Sequence, residues 1–212
     1  IERTGGYVVC MKKLIVPVVT PFREDETVDY AELKRIVRGL FDEGADGIFA
    51  GGSSAECFLL TDEERKKVLE ATVEAADGGF VIAHVGAVGV RRTEEFARHA
   101  KRVGADAVAS VPPFYFGFRY ENIRAYYWAL ADAAELPTMI YYFPANTGAS
   151  FDADQMAEIL LGRENIRAVK FTDSDYYVMQ RIKALTGREI ISGKDECFLS
   201  ALAAGADGAI GT

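Results

Sequence analysis

The chain has 212 residues, half of them apolar and 26% charged, with a formal net charge of −8. This is the composition of a globular domain, and its acidic balance argues against nucleic acid or an anionic membrane surface as the main partner, while leaving room for a local basic site. The longest apolar stretch, FVIAHVGAVGV at 80–90, is too short to span a bilayer, and three scattered cysteines (Cys10, Cys57, Cys197) suggest no disulfide framework and a reducing, cytoplasmic compartment.

Residues 1–10, IERTGGYVVC, lack the charged and apolar regions of a secretory signal. They read as a leader or upstream remnant ahead of a domain at 11–212 that opens at Met11. LIVPVVT (14–20) is the first strand-like run. In YAELKRIVRGLF, residues Leu33, Ile36, Val37, Leu40 and Phe41 fall on one helical face. GIFAGG (47–52) is the second strand, and TDEERKKVLEATVEAA then opens with Thr61 and Glu64 at capping-box spacing. FVIAHVG (80–86) is followed by a helix predicted to open at Thr93 and to bury Phe96, Ala100 and Val103. AVASVPP (107–113), TMIYYFP (138–144), RAVKFT (167–172), EIISG (189–193) and GAIGT (208–212) complete eight strands. Gly-Ala-Asp recurs before three of them, at 44–46, 104–106 and 205–207, where the glycine suits a left-handed residue just past a helix end. Strand–helix alternation implies a parallel sheet, and eight units favour a closed (β/α)8 TIM barrel over an open doubly wound sheet. No GxGxxG follows the first strand, against a dinucleotide fold. No helix follows the eighth strand, so the barrel reads as C-terminally incomplete or completed from elsewhere.

Chemistry in such barrels sits at the C-terminal ends of the strands, and the unusual polar residues cluster there. They are Ser53, Ser54 and Glu56 after strand 2, Tyr115 after strand 4, Tyr141 and Tyr142 on strand 5, Lys170 and Thr172 on strand 6, Gly193, Asp195 and Glu196 after strand 7, and Thr212 at the end of strand 8. A lysine on an edge strand snorkels to water, but a barrel has no edge. A partly dry barrel mouth would instead lower the pKa of the Lys170 amine and free it to attack a carbonyl. Strand alternation turns Tyr141 and Tyr142 to opposite faces, and a phenol beside Lys170 either fills the barrel or passes protons. GGSSAE is either a simple turn or a cradle of hydroxyl and N–H groups for a carboxylate. Tyr115 reads better as a loop aromatic covering the core than as a second phenol in a relay. His84 reads as a satisfied core histidine, no spacing resembles a metal site, and nothing marks Cys57 as an activated thiol.

PVVTPF (17–22), GGSSAECFLLTDEE (51–64), YYFP (141–144), AVKFTDSD (168–175) and AGADGAIGT (204–212) stand in an order that resembles the pyruvate-dependent class I aldolases of the dihydrodipicolinate synthase/N-acetylneuraminate lyase superfamily, from about Leu14 to Thr212. The resemblance implies Lys170 as the Schiff-base lysine, Tyr141 as the proton-transfer tyrosine, and Ser53 and Ser54 as the grip on the pyruvate carboxylate. Tyr115 matches an aromatic that works near or across a subunit boundary. IAHVG (82–86) and GKDE (193–196) resemble the sialic acid lyase branch, in which Gly193, Asp195, Glu196, Thr172 and Thr212 would contact the sugar polyol chain. The synthase branch carries an arginine where Asn146 stands. By this resemblance the expected reaction is reversible cleavage of N-acetylneuraminate, or a close 2-keto sugar acid, to pyruvate and N-acetylmannosamine. The resemblance further implies no metal or organic cofactor, a small-molecule 2-keto acid as partner, and a homotetramer. A 2-keto-3-deoxy sugar acid aldolase, a dihydrodipicolinate synthase and a catalytically silent binding barrel are the competing readings. Ala55 and Ser54 replace the family's usual glycine and threonine, and Tyr142 replaces a common asparagine. Alanine at position 55 would strain the carboxylate loop if its φ were positive.

Overall fold

The computed structural model of the chain describes residues 13–211; the expectations for residues 1–10 and for Thr212 lie outside them. Eight parallel strands, β1 (Lys13–Pro17), β2 (Gly47–Ala50), β3 (Phe80–His84), β4 (Ala107–Ser110), β5 (Thr138–Tyr142), β6 (Ile166–Phe171), β7 (Glu189–Ser192) and β8 (Gly208–Ile210), close in chain order into a barrel. β8 returns to pair with β1. Around them stand α1 (Tyr30–Asp42), α2 (Asp62–Ala76), α3 (Val90–Val103), α4 (Tyr120–Ala134), α5 (Pro144–Thr147), α6 (Ala153–Leu161), α7 (Tyr176–Thr186) and α8 (Phe198–Ala203). Each strand lies where an apolar run predicts it and ends short of that run, because the last letters already belong to the rim loops. Thr172 is one such residue: it stands just beyond β6 and not within it.

The recurring Gly-Ala-Asp explains how a helix hands over to a strand. Gly44, Gly104 and Gly205 have φ of 98°, 91° and 101°, a region that alanine would enter only with strain. The next alanine N–H bonds back into the preceding helix in all three copies, Ala45 to Leu40, Ala105 to Ala100 and Ala206 to Ala201. The aspartate then locks the strand start on its neighbour. Asp46 Oδ2 accepts the Leu14 N–H at 2.8 Å, Asp106 Oδ2 that of Val81 at 2.9 Å, and Asp207 Oδ2 that of Ile190 at 2.8 Å. Each aspartate N–H also donates to the carbonyl of that same residue. Three copies of one local device thus set the register of three strand pairs, at the end of the barrel opposite the predicted mouth.

Helix starts follow side-chain capping. Thr61 and Glu64 form the expected capping box, and Asp152 with Gln155 forms another. α3 departs from the expected start at Thr93. It begins at Val90 behind Gly89, and Thr93 points inward, where its Oγ1 accepts the Ala87 N–H at 3.1 Å and pairs with the Tyr126 hydroxyl at 2.8 Å. A buried hydroxyl that already has partners inside has no need to cap.

Strand alternation divides the apolar residues into two layers. Ile15, Phe49, Ile82, Met139, Tyr141 and Ile191 are among those that fill the barrel. A larger layer, including Val169, Phe171 and Tyr142, packs between strands and helices. Tyr142 stacks on Phe171 at 5.2 Å, so Tyr141 is its inward counterpart and Lys170 lies between outward Val169 and Phe171.

Candidate active site

Lys170 and Tyr141 are register partners on β6 and β5. Lys170 is 5% exposed, and its Nζ lies 4.1 Å from the centre of the Tyr141 ring and 4.4 Å from that of Phe49. Burial penalises the ammonium and pulls its pKa down from 10.5 to about 7; Asp195 opposes this by attraction. The two ring faces supply only part of what water would give the ammonium. A sizeable fraction of neutral amine is therefore present at neutral pH, as the expected nucleophile requires. Burial raises the Tyr141 phenol, while the hydroxyls of Ser53 and Thr172 beside it draw it back down. The phenol stays protonated near neutrality and stands ready to donate. Its ring is held between Phe143, stacked at 5.7 Å, and Phe49, edge-on at 5.9 Å.

The turn after β2 opens at Gly51, with φ of 67°. Ala55 and Glu56 N–H groups close back on Gly52 and Ser53 carbonyls at 3.2 and 3.0 Å. The Ser53 and Ser54 N–H groups donate to no backbone carbonyl among the described residues. With two hydroxyls beside two open N–H groups, the turn can take an anion. Ala55 is fully buried, its carbonyl accepts the Thr20 hydroxyl at 2.8 Å, and it is not among the residues of positive φ. The strain considered for this alanine is absent; the left-handed non-glycine residue is Glu56, with φ of 54°.

Thr172 Oγ1 is buried and makes no hydrogen bond of ordinary geometry. The Tyr141 phenol beside it is not well aligned with it, so a ligand hydroxyl at the mouth would satisfy it better. Gly193 is what makes room for it. A Cβ at position 193 would lie 2.0 Å from Thr172 Oγ1 and 3.2 Å from Lys170 Cε. Gly193→Ala is expected to displace Thr172, lower stability by about 1–3 kcal/mol and slow turnover; urea unfolding and steady-state kinetics measure both effects. Asp195 follows on a single 3-10 turn (Asp195–Cys197), close enough to Lys170 to act on its charge and folded against Gly211, where a Cβ would meet its Oδ1.

The structure does not bring every expected residue together. Glu196 is exposed and paired with Lys194 at 3.4 Å. Tyr115 is 85% exposed, has φ of 77°, and packs edge-on against Phe116 at 4.9 Å, away from Lys170 and Tyr141 within this chain. It is neither the core cover that its sequence suggests nor part of the inner cluster. Sequence reasoning missed Phe49 and the apolar wall of the mouth. A cleft of about 320 Å³ is lined by Ser53, Glu56, Phe58, Phe114, Phe143 and Asn146, among others. Phe49 was legible in principle, since it alternates with outward Ile48 and Ala50 on β2. Cys57 lies at this cleft too, but burial raises its thiol to about 11, so it is inert at neutral pH.

A desolvated amine on the inner face of a closed (β/α)8 barrel, next to a protonated phenol and a turn that can take an anion at the C-terminal rim, is an arrangement suited to carbonyl chemistry on an acidic compound. Residues 10–212 match the dihydrodipicolinate synthetase family, and the chain belongs to that family. It is 38% identical over 205 residues to an N-acetylneuraminate lyase of Escherichia coli, an alignment covering 95% of this chain and 69% of that protein. A Clostridium difficile structure, CdNal in complex with mannosamine, superposes with a TM-score of 0.92 at 32% identity, over 95% of this chain and 70% of that one. A prophage protein of the dihydrodipicolinic acid synthase family from Escherichia coli K12, in complex with pyruvate, superposes with a TM-score of 0.90 at 29% identity, over 94% and 69%.

Proposed function

We propose that this protein is a Schiff-base aldolase that reversibly cleaves N-acetylneuraminate, or a close 2-keto sugar acid, to pyruvate and an aldehyde sugar. The observation that carries the reading is the Lys170 amine, buried between Phe49 and Tyr141 and lowered to about 7. Its neutral form adds to the C2 carbonyl, and loss of water leaves an iminium. The carboxylate rests in the Ser53–Ser54 turn. Tyr141 accepts the proton of the C4 hydroxyl, handing its own on through the substrate carboxylate. The C3–C4 bond breaks, its electron pair moves into the iminium as an enamine, and the aldehyde leaves. Protonation at C3 and hydrolysis then return pyruvate and the free amine. The iminium is the electron sink, so the scheme needs no metal or organic cofactor. Thr172, whose buried hydroxyl makes no hydrogen bond of ordinary geometry, Gly193 beside it and Asp195 would take the polyol chain, and Glu196 would join them by turning from Lys194. The chemistry belongs in a reducing cytoplasm. No helix among the described residues is long and apolar enough to cross a membrane.

A homo-oligomer, in resemblance a tetramer, completes the proposal. Tyr115, Phe116 and Leu59 leave large apolar side chains exposed on the loops beyond the strands' C-terminal ends, and a second copy would cover them. The test of the activity is cyanoborohydride trapping with pyruvate, followed by peptide mass spectrometry and a substrate panel. A reduced pyruvyl adduct on Lys170 is expected, as is pyruvate release from N-acetylneuraminate. An unmodified Lys170 in folded protein would overturn the mechanism. Release from keto-deoxy acids alone would move the substrate to that class.

A further inference from the structure

One buried titratable side chain at the mouth has no part in the aldolase chemistry. His84 ends β3 and is 6% exposed. Its Nδ1 lies 2.9 Å from the carbonyl oxygen of Gly51, and its Nε2 lies 3.4 Å from the backbone nitrogen of Val111. A backbone N–H only donates, so Nε2 accepts, and the single ring proton sits on Nδ1 and is donated to Gly51. Burial and the neighbouring Arg65 guanidinium hold the ring neutral, with its pKa down at about 3, as this pattern requires. The imidazole therefore ties the first residue of the Ser53–Ser54 turn to the start of the loop after β4.

The backbone that carries the ring is itself held from behind. Arg65 reaches in from α2, donating from Nη2 to the His84 carbonyl at 3.2 Å and from Nη1 to that of Gly86 at 3.1 Å. Its guanidinium lies over Phe96 at 4.2 Å. Gly86 clears the space for the imidazole: a Cβ there would lie 2.8 Å from His84 Nε2 and 2.9 Å from Ser110 Oγ. On its other side the ring meets Tyr141 edge-on at 5.9 Å. A plain core histidine would need neither an inward arginine nor a bond to the one backbone carbonyl that opens the anion-holding turn.

We propose that His84 is a positioning residue for the carboxylate end of the substrate, acting through its Nδ1–H bond to Gly51 to set the Ser53–Ser54 turn against Lys170 without touching the substrate itself. This rests on the aldolase reading. It separates carboxylate recognition from amine reactivity, so two ketones of different charge distinguish it from a merely structural role. Pyruvate needs the turn; acetone, which has no carboxylate, reaches Lys170 without it.

The experiment measures cyanoborohydride trapping on Lys170 with each ketone for the wild type and for His84→Leu, His84→Gln and His84→Asn. His84→Leu is expected to raise the pyruvate concentration for half-maximal trapping by about 10-fold or more, the loss expected for one buried hydrogen bond. Its acetone trapping should stay within about twofold of wild type, since Phe49 and Tyr141, the two rings that border the amine, are kept and leucine fills the place of the imidazole beside them. His84→Asn puts an N–H donor near the place of Nδ1 and is expected to regain most of the pyruvate response, while His84→Gln, whose amide sits near the place of Nε2, is not. Should His84→Leu fail to fold, the Asn and Gln pair carries the comparison. Equal losses with both ketones, or no advantage of Asn over Gln, would overturn the inference and leave the aldolase reading standing. A wild type that forms no pyruvate adduct overturns the aldolase reading, and this inference with it.

Discussion

Lys170→Met is expected to abolish adduct formation and to lower turnover by at least about 10⁴-fold, because Lys170 is the one buried lysine among the described residues. Lys170→Arg should fare no better, since a guanidinium stays protonated and cannot attack a carbonyl. The methionine substitution has a second, opposite effect on stability. The folded pKa of Lys170 is about 7 and the ordinary one 10.5, with desolvation as the main cause. Below pH 7 both folded and unfolded chains carry the proton, and the folded state bears the full penalty of a buried ammonium. Between about pH 7 and 10.5 the unfolded chain binds a proton that the folded chain does not, so wild-type stability rises with pH across that window. Lys170→Met removes the penalty. It should be more stable than wild type by a few kcal/mol, at most about 5, below pH 7, with the charge-linked part of that gain gone above pH 10.5. Urea unfolding at pH 6 and pH 9 measures it. In the wild type, kcat/KM should rise through a limb near pH 7 as the amine loses its proton. A flat rate profile from pH 5.5 to 8.5, with active and folded protein throughout, would count against the lysine as nucleophile.

Tyr141→Phe is the second substitution of large effect. The ring's contacts with Phe49 and Phe143 are kept, so the fold and the setting of Lys170 should survive. What is lost is a phenol whose pKa burial raises, a proton carrier beside Ser53 and Thr172. Turnover is expected to fall about 10²–10⁴-fold, the usual worth of a positioned acid–base group. Trapping of the pyruvate adduct should fall much less if the phenol acts mainly after the iminium forms. Stopped-flow turnover alongside mass-spectrometric adduct yield separates the two steps. A variant that turns over at the wild-type rate would leave Tyr141 as barrel filling, the bland reading of an inward aromatic.

What was legible in the letters depends on the range of each interaction. The eight strands, the left-handed glycines of Gly-Ala-Asp and the capping box at Thr61 and Glu64 rest on residues a few positions apart, and all are as predicted. The period of two along a strand sorts Tyr141 from Tyr142 and places Lys170 inside. The aspartate of Gly-Ala-Asp is visible in the letters, but not its task, because its partners Leu14, Val81 and Ile190 lie 32, 25 and 17 positions away. Thr93 reads as a cap, yet Tyr126, 33 positions on, claims its hydroxyl.

Local pattern was thus enough to make this chain a barrel with an amine among the strands and hydroxyls and acids at their ends. The character of that amine needed the folded barrel. Its pKa depends on how completely Phe49 and Tyr141 exclude water, a property of three strands brought together. The rim took its form there as well. Loop conformations turn Tyr115 outward, pair Glu196 with Lys194 and leave the Thr172 hydroxyl without a hydrogen bond of ordinary geometry beside Gly193, and no periodicity governs a loop. His84 shows the difference most directly. In the letters it is one histidine in an apolar run, and in the barrel it joins Gly51 to Val111 because strand pairing sets β3 between β2 and β4.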